Sequence, residues 1–194
     1  MIVMNDNLQK MMENLKVTNA ETYYHAIHVK NLTVKMIKHM NAAGITNYTP
    51  FEKDCICKGA LLHDLGKLGI ENVILTKETT LSEAEWDNMK KHTINGYEMV
   101  KDELTEEEHE IIKNICLYHH ERTDGNGYFG ITEVPMYVQI VSACDVFDAL
   151  SSERVYKKAM SYEAALKIIE DGQTGCYDET IVECLKKAVS ELTE

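Results

Sequence analysis

The sequence predicts an all-α fold, a single-domain bundle of about seven to nine helices. Only two prolines occur in 194 residues, and no stretch alternates apolar and polar residues long enough to make a half-buried strand. The helix-opening pattern Ser/Thr-x-x-Glu recurs at Thr18–Glu21, Thr49–Glu52, Ser82–Glu85 and Thr105–Glu108. In that pattern a hydroxyl and a carboxylate satisfy backbone donors at a helix start.

Residues 4–16 carry an apolar stripe of Leu8, Met11, Met12 and Leu15, a short helical extension filling residues 1–17. Residues 18–194 form the main domain. Thr18 opens a helix to about Met40, and Gly44 ends the connection that follows. Thr49 with Pro50 at the first helical position opens the next helix, which runs to His63-Asp64. Ser82 caps a helix containing Trp86 and Met89, and another resumes near Thr93 and continues to about Lys101. Thr105 opens a helix ending in Tyr118-His119-His120-Glu121. Residues 123–130 are too rich in Gly and Asn for a regular element and form a loop. Pro135 to Leu150 reads as a nearly all-apolar buried helix, and helices at about 161–171 and 178–192 follow.

Hydrophobic content of 44% with 27% charged residues is that of an ordinary globular chain. A formal net charge of −12 excludes polymeric nucleic acid as a partner, because that binding is driven by cations neutralising phosphates. No basic leader and no membrane-length apolar run is present, so a cytoplasmic location without membrane contact is expected. The cysteines contain no Cys-x-x-Cys and read as reduced thiols, with Cys55 and Cys57 a partly buried pair on a helix and a soft-metal site the alternative.

His63-Asp64 joins an imidazole directly to a carboxylate, a combination suited to Zn, Mn or Fe and, through two oxygens, to bridging two ions. Adjacent helical residues diverge by about 100°, so both reach one centre only at a helix end, where Gly66 and Gly69 supply an opening. The competing reading is a helix C-cap. Asp145 lies in an apolar helix with no Lys or Arg within a turn, and a metal, a distant Arg or a His would each offset its burial. His119-His120 stands at another helix end, and His92 follows the Trp86 helix.

Taken in order, His63-Asp64-x-Gly66-Lys67, His92 with Gly96, His119-His120-Glu121 with Asp124-Gly125-x-Gly127-Tyr128, and Asp145-Val146-Phe147-Asp148 resemble the HD-GYP branch of the HD-domain phosphohydrolases. The resemblance spans about residues 20–185. It implies an HD-type helical bundle that binds two or three divalent metals, Fe or Mn first, with Zn, Ni and Co also suited, and that hydrolyses cyclic di-GMP to pGpG and/or GMP through a metal-bridging hydroxide. Carried over by position, the metal ligands are His25, His63, Asp64, His92, His119, His120 and Asp145, with Asp64 bridging. Glu21 matches a third-metal carboxylate of some members, and its place at N3 of a capping box gives it a competing role. Lys67 matches a residue approaching the scissile phosphate. Gly127, Tyr128, Arg154 and Lys157 match ligand contacts, and Asp148 or a water protonates the leaving ribose oxygen.

Two positions depart from the family pattern: Phe129 replaces the Pro of Gly-Tyr-Pro, and Val155 replaces a second Pro. Losing the fixed φ loosens the Gly127-Tyr128-Phe129 loop, through which substrate or a protein partner is positioned. A homo-oligomer is compatible with the pattern. His28, His39 and His109 match nothing and read as surface or satisfied polar groups. Two alternatives share the core: an HD phosphohydrolase acting on another cyclic dinucleotide or nucleotide, and a non-catalytic cyclic-dinucleotide-binding signalling module.

Overall fold

The computed structural model describes residues 4–153 and 158–192. Among them lie nine α-helices and no strand: α1 (Asp6–Thr18), α2 (Ala20–Ala42), α3 (Pro50–Leu62), α4 (Asn72–Leu75), α5 (Glu83–Val100), α6 (Glu106–Tyr118), α7 (Met136–Ser151), α8 (Tyr162–Glu170) and α9 (Glu179–Ser190). Short 3₁₀ turns cover Leu65–Gly69 and Lys101–Glu103. The expected capping boxes form at Thr49–Glu52, Ser82–Glu85 and Thr105–Glu108, where the hydroxyl accepts from the Glu backbone N–H and the Glu carboxylate accepts from the backbone N–H of the capping residue.

The first expected box does not form. Thr18 is the last residue of α1 and its hydroxyl donates back to Asn14 O, while the Asn19 side chain caps α2 by accepting from Thr22 N at 2.9 Å. Asn is at least as good a cap as Thr, and it sits one residue nearer the apolar run. The expected break before Thr93 is absent as well. Without Pro or a cap between Trp86 and Thr93, α5 runs uninterrupted, and His92 lies within it rather than after it.

α2 is the central helix, packed against α1, α3, α7 and α9. One apolar cluster joins Val29, Met36 and Met40 of α2 to Ile56 and Ala60 of α3, Val141 and Phe147 of α7, and the inner faces of α8 and α9. A second joins Leu8, Met12 and Leu15 of α1 to Ala26, Leu61, Leu62, Leu65, Val100 and Ile112. Fully burying each such Leu or Ile contributes about 1.5–3 kcal/mol. Cys55 and Cys57 are buried on α3 and unbridged.

No helix among the described residues is long and apolar enough to cross a membrane.

Candidate metal centre

Imidazoles and carboxylates from α2, α5 and α7, and from just past the ends of α3 and α6, come together inside the protein. His63 caps the C-terminus of α3 and Asp64 follows in the bridge region at φ −101° and ψ 5°, so the chain turns and both side chains point inward. The expected contribution of Gly66 and Gly69 to this turn is different in kind. Neither has a positive φ. At Gly66 a Cβ would lie 1.9 Å from His92 O and 2.4 Å from Gly96 N, so the residue is small because the turn lies directly on the backbone of α5.

Seven of the expected ligands come together in two abutting groups. Asp64, His92, His119 and His120 form one, and His25, His63 and Asp145 the other, with each group's candidate donor atoms within 4.8 Å of one another. Asp64 faces both: Oδ1 lies 3.3 Å from His92 Nε2, and Oδ2 lies 3.5 Å from His63 Nε2 and 3.9 Å from His25 Nε2.

The backbone dictates which nitrogens point inward. His63 Nδ1 donates to Ala60 O at 2.8 Å, His92 Nδ1 to Met89 O at 2.7 Å, and His119 Nδ1 to Ile115 O at 3.0 Å. A carbonyl only accepts, so each ring carries its proton on Nδ1 and in its neutral form turns a bare Nε2 lone pair inward. Burial pushes the pKa of His92 down, that of His119 to about 3, and that of His120 well below its ordinary value, so these three are neutral. The Nε2 atoms of His92 and His119 nevertheless face each other at 3.3 Å. His63 Nε2 and Asp64 Oδ1 are buried with no hydrogen-bond partner. Lone pairs converging in this way repel unless a cation sits among them, and this donor set fits divalent metal.

His25 closes the other side. Its Nε2 donates to Asp145 Oδ1 at 2.9 Å and its Nδ1 to Asp148 Oδ2 at 2.6 Å. Burial alone would lower its pKa, but these carboxylates outweigh burial and raise it to about 9. Burial opposes ionisation of Asp64 and Asp145 too, yet Lys67 and His63 hold Asp64, and His25 holds Asp145, well below the ordinary carboxylate range. Lys67 Nζ donates to Asp64 Oδ2 at 2.6 Å.

Asp148 lies behind His25, and its other oxygen, Oδ1, accepts from Ser152 Oγ at 2.9 Å and lies 3.2 Å from His28 Nδ1. That arrangement orients an imidazole. Glu21 belongs to neither ligand group. It is exposed on the wall of a cavity of about 340 Å³ that also includes Asn19, Lys67, Asn72, Thr76 and Met89.

Tyr128 stacks on His120, with ring centroids 4.3 Å apart and planes at 29°. Gly127 leaves room for Glu121, whose Cα would meet a Cβ there at 2.5 Å. Arg154, Val155 and Lys157 fall outside the described residues.

His39 Nε2 lies 3.0 Å from Glu191 Oε1, and His109 pairs with Tyr97, so neither belongs to the centre. His28 is instead a neighbour of the site.

Sequence reasoning missed two anchors. Buried Glu121 accepts from Phe129 N at 2.9 Å and Ile131 N at 2.8 Å, pinning the loop expected to be loose. Proline at position 129 would have no N–H to give. Buried Arg122 donates to Thr174 O and Ser142 Oγ and lies 5.0 Å from the Tyr177 ring centroid, tying the end of α6 to α7 and the segment before α9. The adjacency of Glu121 and Arg122 to the His pair was the available signal.

Inward-turned imidazoles on a helical scaffold define the class: an all-α protein built to hold divalent metal. The chain belongs to the HD-domain family, whose family model matches residues 22–150, and the order of its motifs puts it in the HD-GYP branch. It is 28% identical over 191 residues to a cyclic di-GMP phosphodiesterase of Pseudomonas aeruginosa, covering 97% of this chain and 44% of the relative. It is 32% identical over 182 residues to 3'3'-cGAMP-specific phosphodiesterase 3 of Vibrio cholerae, covering 92% and 38%. A solved HDG"Y"P protein from Bdellovibrio bacteriovorus superposes with a TM-score of 0.68 at 22% identity, covering 92% of this chain and 55% of that one. The chain therefore spans less than half the length of these two curated relatives.

Proposed function

We propose that the chain is a cytoplasmic metal-dependent phosphodiesterase that hydrolyses cyclic di-GMP to pGpG and/or GMP. The observation that carries this reading is the 3.3 Å approach of the His92 and His119 Nε2 atoms, each bare because a carbonyl behind the ring holds the single proton of the neutral imidazole on Nδ1. Its support is the similarity to cyclic-dinucleotide phosphodiesterases.

His92, His119 and His120 would hold one ion, and His25, His63 and Asp145 a second, with Asp64 between them. Fe or Mn suits this nitrogen and oxygen set best, and Zn, Ni and Co are the alternatives. Bound cations supply a water of lowered pKa and positive charge for the phosphate oxygens. The protein's own groups do the rest. Lys67, held 2.6 Å from Asp64, places its ammonium beside the scissile phosphate as negative charge builds there. Asp148 fixes the His25 ring. The carbonyls of Ala60, Met89 and Ile115 fix the rings of His63, His92 and His119. With both Asp148 oxygens engaged, cleft water protonates the leaving ribose oxygen.

The Vibrio relative named for 3'3'-cGAMP favours one second reading, in which the same centre prefers a mixed cyclic dinucleotide. Elemental analysis of anaerobically purified protein, together with product analysis on cyclic di-GMP and 3'3'-cGAMP, tests both. Iron or manganese at about two per chain with pGpG or GMP formed is expected, and Asp64→Ala should lose metal and turnover together. Tight dinucleotide binding by metal-loaded protein without any product would overturn the enzymatic reading.

A further inference from the structure

The only tryptophan of the chain, Trp86, stands on α5 with 44% of its surface in solvent. An indole that served packing alone would be more deeply covered. Its ring meets that of Tyr128 edge to face at 5.9 Å, and Tyr128 in turn stacks on His120, so one aromatic row leads from solvent to the candidate metal centre. Lys90, one turn after Trp86, puts its Nζ 5.9 Å from the Tyr128 centroid. Its acidic neighbour Asp87 is 3.7 Å away and largely exposed, a weak pair in water. Met89, between them on the same face, lines the cavity beside Lys67. Residues 86, 89 and 90 thus form a continuous strip of α5 from the loop ring to the phosphate-facing lysine.

A strip that is flat and aromatic at one end and cationic beside it matches a nucleobase attached to a phosphodiester. We propose that Trp86 stacks one base of the cyclic dinucleotide while Lys90 faces its phosphate. This rests on the function proposed above and adds a binding residue outside the metal centre. Base stacking tolerates any base, because every base has a π face, so the strip contributes affinity and leaves base choice to other groups.

The single indole makes the test direct. Manganese-loaded protein is titrated with a slowly hydrolysed bis-phosphorothioate of cyclic di-GMP, with tryptophan emission followed and binding measured in parallel by equilibrium dialysis. Emission should be quenched along the binding curve. With cyclic di-GMP as substrate, Trp86→Ala should raise KM about tenfold (~1.4 kcal/mol), with the loss in KM rather than kcat, and Trp86→Phe should recover most of it. Dialysis showing binding with unchanged emission would overturn the inference while leaving the proposed function standing. A KM within twofold of wild type for Trp86→Ala would do the same. Absence of both binding and turnover would remove the proposed function and this inference with it.

Discussion

At the scale of single residues, the two faces of an imidazole have separate tasks. His63, His92 and His119 give one nitrogen to their own helix and keep the other for the centre, whereas His25 gives its Nδ1 to Asp148. Replacing Asp148 with Asn should therefore act through His25. Metal affinity should fall about 10–100-fold, and activity should return toward wild type when metal is supplied in excess. A loss of kcat that persists at saturating metal, with the acidic group missing from the pH profile, would instead make Asp148 the proton donor. The same scale explains Phe129. Proline fixes φ, but an ordinary residue brings an N–H, and Glu121 accepts it inside the protein, where a bond to a carboxylate is strong. The sequence alone shows the lost ring and conceals the acceptor eight residues upstream.

At the scale of elements, the decisive contact is between the 3₁₀ turn at Leu65–Gly69 and α5. Gly96 completes it, since a Cβ there would lie only 3.2 Å from Gly66 N. A helix-interior glycine weakens a helix by up to ~1 kcal/mol, and here it permits the approach that brings His92 opposite His63 and Asp64. Gly66→Ala would push a methyl into backbone that cannot yield. It should destabilise the fold by about 3 kcal/mol, near the upper end for overpacking, and reduce bound metal, as read by urea unfolding and elemental analysis. Milder loss with full metal content would show that the two segments can slide apart. The long helices were legible because caps and apolar periodicity are local: α3, α5, α6 and α7 begin within a residue of their expected starts. The short pieces were not. α4 spans Asn72–Leu75 alone, too brief for a period to show, and is held by tertiary contact with α5. The boundary between α1 and α2 turned on Thr18 or Asn19, both good caps, and only the position of α1 in the fold decides between them. The side chains that converge at the candidate centre were legible through motif order, but the rings' orientation depends on carbonyls that a sequence does not display.

At the scale of the whole molecule, a group of buried imidazoles and carboxylates accompanies two apolar clusters, and its stability depends on what neutralises it. Without metal, the His25 proton does part of that work between Asp145 and Asp148. Its pKa is raised from 6.5 to about 9, so its contribution is complete below pH 6.5 and fades as pH rises through about 9. The lowered pKa values of His92, His119 and His120 act elsewhere, since a neutral buried imidazole weighs against the fold only when the unfolded chain would be protonated, below about pH 6.5. Buried Cys116, with its thiol pushed up to about 12, adds to the alkaline loss only above about pH 8.5. Chelator-treated protein should thus lose stability steadily between pH 7 and 8.5. A cation at His25 Nε2 takes the place of that proton, so manganese-loaded protein should be flatter over the same interval and more stable throughout, by ~2.7 kcal/mol when free metal is a hundredfold above Kd. Urea midpoints of the two forms at both pH values are the measurement. Parallel pH dependence would mean that metal does not engage His25, and the second ligand group would then lose its central member.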